Sequence, residues 1–276
     1  MKKILISLSL AAVAAASVYA ASIKWQPSFS TAVNLAKNSH KLVMVDFYTD
    51  WCGWCKKLDA DTYTAPQITS RSEGFVPVKV NAEKEGKAEA AKYKVNGYPT
   101  ILFLKPNGDL AWKVVGYMGP DDFAKQMDMA KNVLTEVPAL EAKIKTNPND
   151  VKSIAKILPY YGGMEALDKV GSVVSKLGRA TGANAGLIAD AYNAAGDAYQ
   201  NSGDMVKAIP LFEKAIGSET PKQTAYARIS IASCYLQSNE AKKAVPYLNA
   251  LVKSGPEADS YRDEAQKMLK AIGNAP

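Results

Sequence analysis

The chain has 276 residues, of which 34 are lysine or arginine, 27 aspartate or glutamate, and one histidine, His40. That length allows one or two domains of ordinary size, and 47% apolar with 22% charged residues is a globular composition rather than a disordered one. A single histidine and three cysteines, Cys52, Cys55 and Cys234, exclude a histidine-rich metal centre, a histidine-dependent triad and a disulfide-stapled miniprotein.

Residues 1–20 read as an export leader. Lys2 and Lys3 give a positive start, Ile4–Ala16 is apolar, and Val18-Tyr19-Ala20 offers cleavage after Ala20. The apolar run is short and alanine-rich for a membrane anchor, so the expected location is a bacterial periplasm. Taking Lys2 and Lys3 from the 34 basic residues leaves 32 against 27 acidic ones. Acidic and basic side chains are interleaved, as in Lys84-Glu85, Lys87, Glu89 and Lys92. That is a solvated face, not the basic stripe with aromatics that nucleic acid requires, and no nucleic-acid partner is expected.

From Lys41 to about Asn132, strand and helix signals alternate. Lys41–Tyr48 is a continuous β-branched and aromatic run, expected of a buried strand. Cys55–Tyr63 is helix-forming and ends before Pro66; Phe75–Val80 alternates as a strand, with Pro77 near its start. Lys87–Tyr93 reads as a short helix and Thr100–Leu104 as a strand. Pro106-Asn107-Gly108-Asp109 reads as a turn into the strand Leu110–Val115, and Asp121–Asn132 as a closing amphipathic helix. The order predicts an α/β fold, a mixed central sheet flanked by helices.

After Glu136 the strand signals stop, and the remainder is alanine-rich with helical period. Tyr199–Ile216 overlays Tyr235–Val252 at a constant offset of 36, matching Ser202 with Ser238, Lys207 with Lys243, Ala208 with Ala244 and Pro210 with Pro246. Gly203 meets Asn239, and both residue types tolerate the left-handed conformation a helix–helix turn needs. This unit resembles the tetratricopeptide repeat through Gly196, Tyr199, Ala208, Phe212 and Ala215, with a weaker copy in Ala232, Tyr235, Ala244, Leu248 and Leu251. A third, degenerate helix pair is expected over Ile144–Leu177, turning at Tyr161-Gly162-Gly163, with Pro256–Ile272 as a capping helix. The predicted organisation is a leader over 1–20, an α/β domain over 21–136 and an all-α helical-repeat domain over 137–276.

The chemistry sits in Asp46-Phe47-Tyr48-Thr49-Asp50-Trp51-Cys52-Gly53-Trp54-Cys55-Lys56-Lys57. A strand ends, Trp51 marks the turn, and Cys52-x-x-Cys55 opens a helix. Cysteines three apart fall on one side of the first helical turn, within reach of a disulfide. Unsatisfied N–H groups and the helix dipole favour the Cys52 thiolate, so Cys52 is the expected exposed attacker and Cys55 the more buried resolving residue. Half a zinc site is the rival reading, but there is no second C-x-x-C and no ligand histidine. A permanently closed structural disulfide is another. No metal or other cofactor is expected, and Cys234 reads as a small core residue.

At this point residues 41–132 resemble the thioredoxin family. The resemblance implies that Asp46, six residues before Cys52, is the buried proton acceptor for Cys55, and that Lys79 is its partner. It makes Tyr98-Pro99-Thr100 the cis-proline loop, places Gly116 near the substrate groove, and makes Cys52–Cys55 a redox-active disulfide. Trp51, Trp54, Tyr98 and Pro99 then contact the client. The Gly53-Trp54 pair differs from the family's Gly-Pro and lacks the histidine of its strongly oxidising members, which argues for a reducing pair. The expected activity is reduction of disulfides in client proteins, fed by a membrane electron donor, with a protein or peptide partner on the repeats. A disulfide oxidase or isomerase, or a non-catalytic repeat adaptor or chaperone with a structural disulfide, are the alternatives.

Overall fold

A computed structural model describes residues 22–178, 184–218 and 220–273; the expected leader, 1–20, lies outside them. The β-branched run after Lys41 forms β1 (Leu42–Tyr48), a strand buried on both faces and central to a four-stranded sheet. β2 (Phe75–Asn81) pairs with it in parallel, whereas β3 (Thr100–Leu104) pairs antiparallel on its other side and with β4 (Leu110–Val115) beyond. The order is β2-β1-β3-β4. Pro77 is tolerated because β2 lies at the edge of the four-stranded sheet, its outer side bridged only by Gln26.

Alternation along β1 sends Val43, Val45 and Phe47 to one face and Leu42, Met44 and Asp46 to the other. The first face packs against Ala32 and Ala36 of α1 (Phe29–Ser39) and Ala90 of α4 (Lys87–Lys92). The sequence reading begins at Lys41 and leaves out α1, which Ser28 caps by accepting from the Thr31 N–H at 3.1 Å. After α2 (Gly53–Lys57), the second face packs against a π-helical turn at Leu58–Thr62, α3 (Pro66–Ser72) and α5 (Pro120–Thr146).

α5 does not stop near Asn132 as expected; it runs through residue 136 without a linker. Its apolar stripe, Phe123, Met127, Ala130, Val133, Val137, Leu140 and Ile144, keeps helical spacing across the expected break. Pro138 sits on the exposed face, where the freed carbonyl of Leu134 can meet water.

α6 (Val151–Gly163) and α7 (Leu167–Val174) form the degenerate pair, joined at Met164–Ala166. Tyr161-Gly162-Gly163 is therefore the last turn of α6 rather than the connection. Gly163 serves contact: a Cβ there would lie 2.3 Å from the Trp112 ring. Two helix pairs follow, α8 (Ala185–Asn201) with α9 (Met205–Ile216) and α10 (Pro221–Gln237) with α11 (Ala241–Val252). They turn at left-handed Gly203 and Asn239, with φ of 86° and 58°. A short 3-10 turn, Pro256–Ala258, and α12 (Asp259–Gly273) close the stack. One apolar core runs from Met44 and Phe103 in the sheet through Trp112 and Ile154 to Phe212 and Cys234.

Candidate functional site

β1 delivers the chain to the site, and the loop after it is fixed by polar contacts. Asn81 Nδ2 donates to Asp50 Oδ1 at 2.9 Å and Lys84 Nζ pairs with Asp50 Oδ2 at 2.7 Å, while Trp51 Nε1 donates to the Glu83 carboxylate at 3.1 Å. The hydrogen bond from Lys84 holds the Asp50 carboxyl below the usual carboxylate range. Cys52 is the N-cap of α2 and is bonded to Cys55, with Cα atoms 5.3 Å apart. The Cys55 N–H donates to Cys52 Sγ at 3.0 Å, so the α2 N-terminus points at the Cys52 sulfur.

The expected contrast in exposure is absent: Cys52 is 4% exposed and Cys55 3%. The disulfide turns the Cys52 sulfur back over the first turn of its own helix. The exposed groups are instead the indoles on either side, Trp51 at 67% and Trp54 at 59%. Trp51 stands edge-on to Tyr98, with ring centres 5.8 Å apart, and Trp54 lies over Tyr117 at 5.5 Å. The Tyr98–Pro99 peptide is cis, Pro99 is buried, and its carbonyl accepts from the Gly116 N–H at 2.8 Å. Gly116 needs its residue type, with φ at +85°.

The parallel register of β1 with β2 places Asp46 beside Lys79, with Oδ2 and Nζ 2.9 Å apart. Asp46 is fully buried, and its carboxylate is paired with the Lys79 ammonium. Burial raises the Asp46 pKa above its ordinary value; attraction to Lys79 opposes this without cancelling it. Lys79 also pairs with Asp59, and its ammonium lies 5.2–5.3 Å from the ring centres of Trp25, Tyr48 and Tyr63. Burial pulls the Lys79 pKa down, yet Asp46 and Asp59 outweigh it and keep the side chain protonated. Tyr63, also buried, has a pKa well above 10 through burial first and the Asp46 charge second, so it remains a phenol.

Of the residues singled out from the sequence, Trp51, Cys52, Trp54 and Cys55 stand together at the start of α2 with Tyr98 and Pro99 beside Trp51, while Asp46 and Lys79 pair with each other on β1 and β2. Sequence reasoning missed Trp25, Tyr48, Asp59 and Tyr63 around Lys79, and Tyr117 against Trp54. Asp59 alone carried a signal, as an acid one helical turn beyond Cys55. Cys234 is fully buried and reduced, and burial pushes its thiol up to about 11, which makes it a poor nucleophile. Among the described residues no group of three or more histidine, cysteine, aspartate or glutamate side chains is placed to hold a metal ion.

Residues 29–131 match the family model of the thioredoxin-like domain, and residues 189–219 that of the tetratricopeptide repeat. The chain thus contains a thioredoxin-like domain followed by repeat helices. Over 99 residues it is 34% identical to the thiol:disulfide interchange protein DsbD of Haemophilus influenzae, covering 34% of this chain and 17% of that protein. Over 135 residues it is 32% identical to a protein disulfide-isomerase of Datisca glomerata, covering 46% of this chain and 26% of the relative. The chain therefore spans about a quarter or less of these relatives' length. The oxidised C-terminal domain of Neisseria meningitidis DsbD superposes with a TM-score of 0.33 at 27% identity, over 37% of this chain and 91% of that one.

Proposed function

We propose that the protein is a periplasmic thiol–disulfide oxidoreductase that reduces disulfides in client proteins. The observation that carries this reading is the Cys52–Cys55 disulfide at the start of α2, preceded on β1 by a buried Asp46 whose pKa is raised. In the reduced protein the Cys52 thiolate attacks a client disulfide, joining one client sulfur and releasing the other as a thiolate. Asp46 takes the Cys55 proton, and Cys55 then attacks Cys52 Sγ, closing the internal disulfide and releasing the second client thiolate. Lys79 stays charged and holds the carboxylate in place. Two electrons pass to the client and must be returned by a dithiol donor, which in an oxidising compartment sits in the membrane.

The leader read from residues 1–20 supports export, and the repeats supply a surface on which a client or partner can be held. Trp54 occupies the place where a histidine would favour oxidising power, which supports the reducing direction. The match to a protein disulfide-isomerase favours oxidation or isomerisation as the second reading. Redox titration in glutathione and dithiothreitol buffers separates the two: a potential near or below about −230 mV supports the reductase, and one near −120 to −180 mV the alternative. Cys52→Ser is expected to abolish turnover and Cys55→Ser to accumulate mixed disulfides. Unchanged turnover in Cys52→Ser would sink the scheme.

A further inference from the structure

A second opening lies beside the disulfide face. A cleft of about 610 Å³ separates β4 from α6 and α8. One wall is formed by four consecutive residues, Trp112, Lys113, Val114 and Val115. Because successive strand side chains point to opposite faces, a cavity touched by all four runs along the strand's edge. β4 is the outer strand of the sheet and pairs only with β3. Half of its backbone N–H and C=O groups therefore face away from the ladder.

The opposite wall holds an anion without a counterion. Among the described residues, Asp197 on α8 receives side-chain hydrogen bonds only from the Tyr226 hydroxyl, 2.9 Å from each carboxylate oxygen, and that hydroxyl has one proton to give. No lysine or arginine among the described residues pairs with it, whereas the other charged residues of the cleft, Lys113 and Glu165, neutralise each other at 2.8 Å. Burial raises the Asp197 pKa to about 6, against the smaller opposing effect of Tyr226. A partly buried anion that lacks its cation is a standing cost to the fold, and this one is kept at an open cleft. The rim carries the carboxamides of Gln200, Asn201 and Gln237, which make no side-chain hydrogen bond among the described residues.

The cleft also connects to the reacting pair. Val115, 58% exposed, and Met118 line it. Between them Gly116 is bonded to the Pro99 carbonyl and Tyr117 lies against Trp54. Four residues thus join the Cys52–Cys55 rim to the edge of β4.

We propose that this cleft binds an extended segment of the client polypeptide as an added strand along β4, with a lysine or arginine side chain of the client against Asp197. The proposal rests on the reading that the clients are proteins. Main-chain hydrogen bonds to β4 supply sequence-tolerant affinity, and the single unpaired carboxylate supplies the preference.

The test uses the full-length chain and an array of random twelve-residue peptides without cysteine. Binding then involves no disulfide exchange, and loss of turnover in Cys52→Ser leaves the result intact. The expected binders are enriched in lysine and arginine, and Asp197→Asn, which keeps the Tyr226 hydrogen bond, removes that enrichment. For the strongest binder, replacing its basic residue by glutamine weakens binding about tenfold or more by fluorescence anisotropy. Methylating its alternate backbone amides has at least as large an effect. The peptide-side changes decide the matter even if Asp197→Asn folds poorly. An array with no binders, binders without a basic excess, an excess that survives Asp197→Asn, or a second copy of the chain filling the cleft in sedimentation would each overturn the proposal.

Discussion

Gly196 and Phe212 offer a quantitative test of how the repeat helices are packed. A Cβ at Gly196 would lie 2.6 Å from Cε1, 2.7 Å from Cζ and 2.8 Å from Cδ1 of Phe212, a ring with no exposed surface. Ordinary contact needs about 1 Å more, and a ring enclosed on all sides cannot yield that without disturbing α8 and α9. Overpacking of this kind costs about 1–3 kcal/mol, while replacing a mid-helix glycine by alanine returns about 1 kcal/mol of helix propensity. Gly196→Ala is therefore expected to lose up to about 2 kcal/mol. The second repeat shows the remedy: at the positions 36 residues on, Ala232 faces Leu248, a larger residue on one helix against a smaller one on the other. Phe212→Leu alone should cost about 1–2 kcal/mol through lost burial. On that background Gly196→Ala should be neutral or stabilising, a coupling of about 1–2 kcal/mol. Urea unfolding of the four proteins, followed by far-ultraviolet circular dichroism at constant m-value, measures it. Costs that add within about 0.5 kcal/mol would show that the ring and the glycine are not in repulsive register, and the packing argument would fail.

Two further outcomes follow from the same geometry. Gly163→Ala would drive a methyl to 2.3 Å from a Trp112 ring that is also pinned by its Nε1 bond to Gln126, so a loss of about 2–3 kcal/mol is expected in equilibrium unfolding, with sheet and helices melting together. Asp46→Ala should raise stability at pH 8 while slowing turnover about 100-fold, the lower end of a general-base contribution. A carboxyl whose folded pKa lies above its unfolded value binds more protons when folded, so wild-type stability falls as pH rises from near 3.8 through the folded pKa. Lys79 keeps Asp59 as a partner, so removing Asp46 orphans no charge, and a gain in stability at pH 8 is expected. Urea midpoints at pH 4 and pH 8 check the sign: a variant less stable than wild type at pH 8 would contradict it.

The parts legible in the sequence were those written locally. A strand buried on both faces has to be a β-branched run, and β1, β3 and β4 begin and end within a residue of where such runs do. The repeats showed through a fixed offset, and the redox pair through a spacing that one helical turn converts into contact. What was hidden depends on partners distant in the chain. Gly163 looks like a turn residue until Trp112 is seen against it, and Pro138 looks like a break until its exposed side of α5 is known. Trp25 near the start of the chain and Tyr63 after α2 meet Lys79 from distant segments, and neither has a spacing that announces it. The similar burial of Cys52 and Cys55 was hidden for a different reason. Helix position determines which sulfur the dipole favours, whereas closure of the disulfide determines which sulfur water can reach.

The continuity of α5 bears on how the two halves can work together. A flexible tether raises the local concentration of a held client but leaves it free to approach the reacting sulfur from many directions. Here the helix that covers the sheet is the same helix against which α6 packs. Gly163 under Trp112, Lys113 with Glu165 and Lys156 with Glu136 tie α5 and β4 to the helices that follow. Trp112 and Tyr160 meet edge-on across the junction, with ring centres 6.2 Å apart. The distance from the β4 edge to α8 is therefore set by core packing rather than by a linker, and changing it means breaking buried contacts. A strand added in the cleft would meet walls already in position, so ordering costs that a tethered repeat would incur at each encounter are met once, in folding. Stability of the repeats and orientation of the client then become one property of the molecule, and a core substitution such as Gly196→Ala, next to Asp197 on α8, should weaken peptide binding.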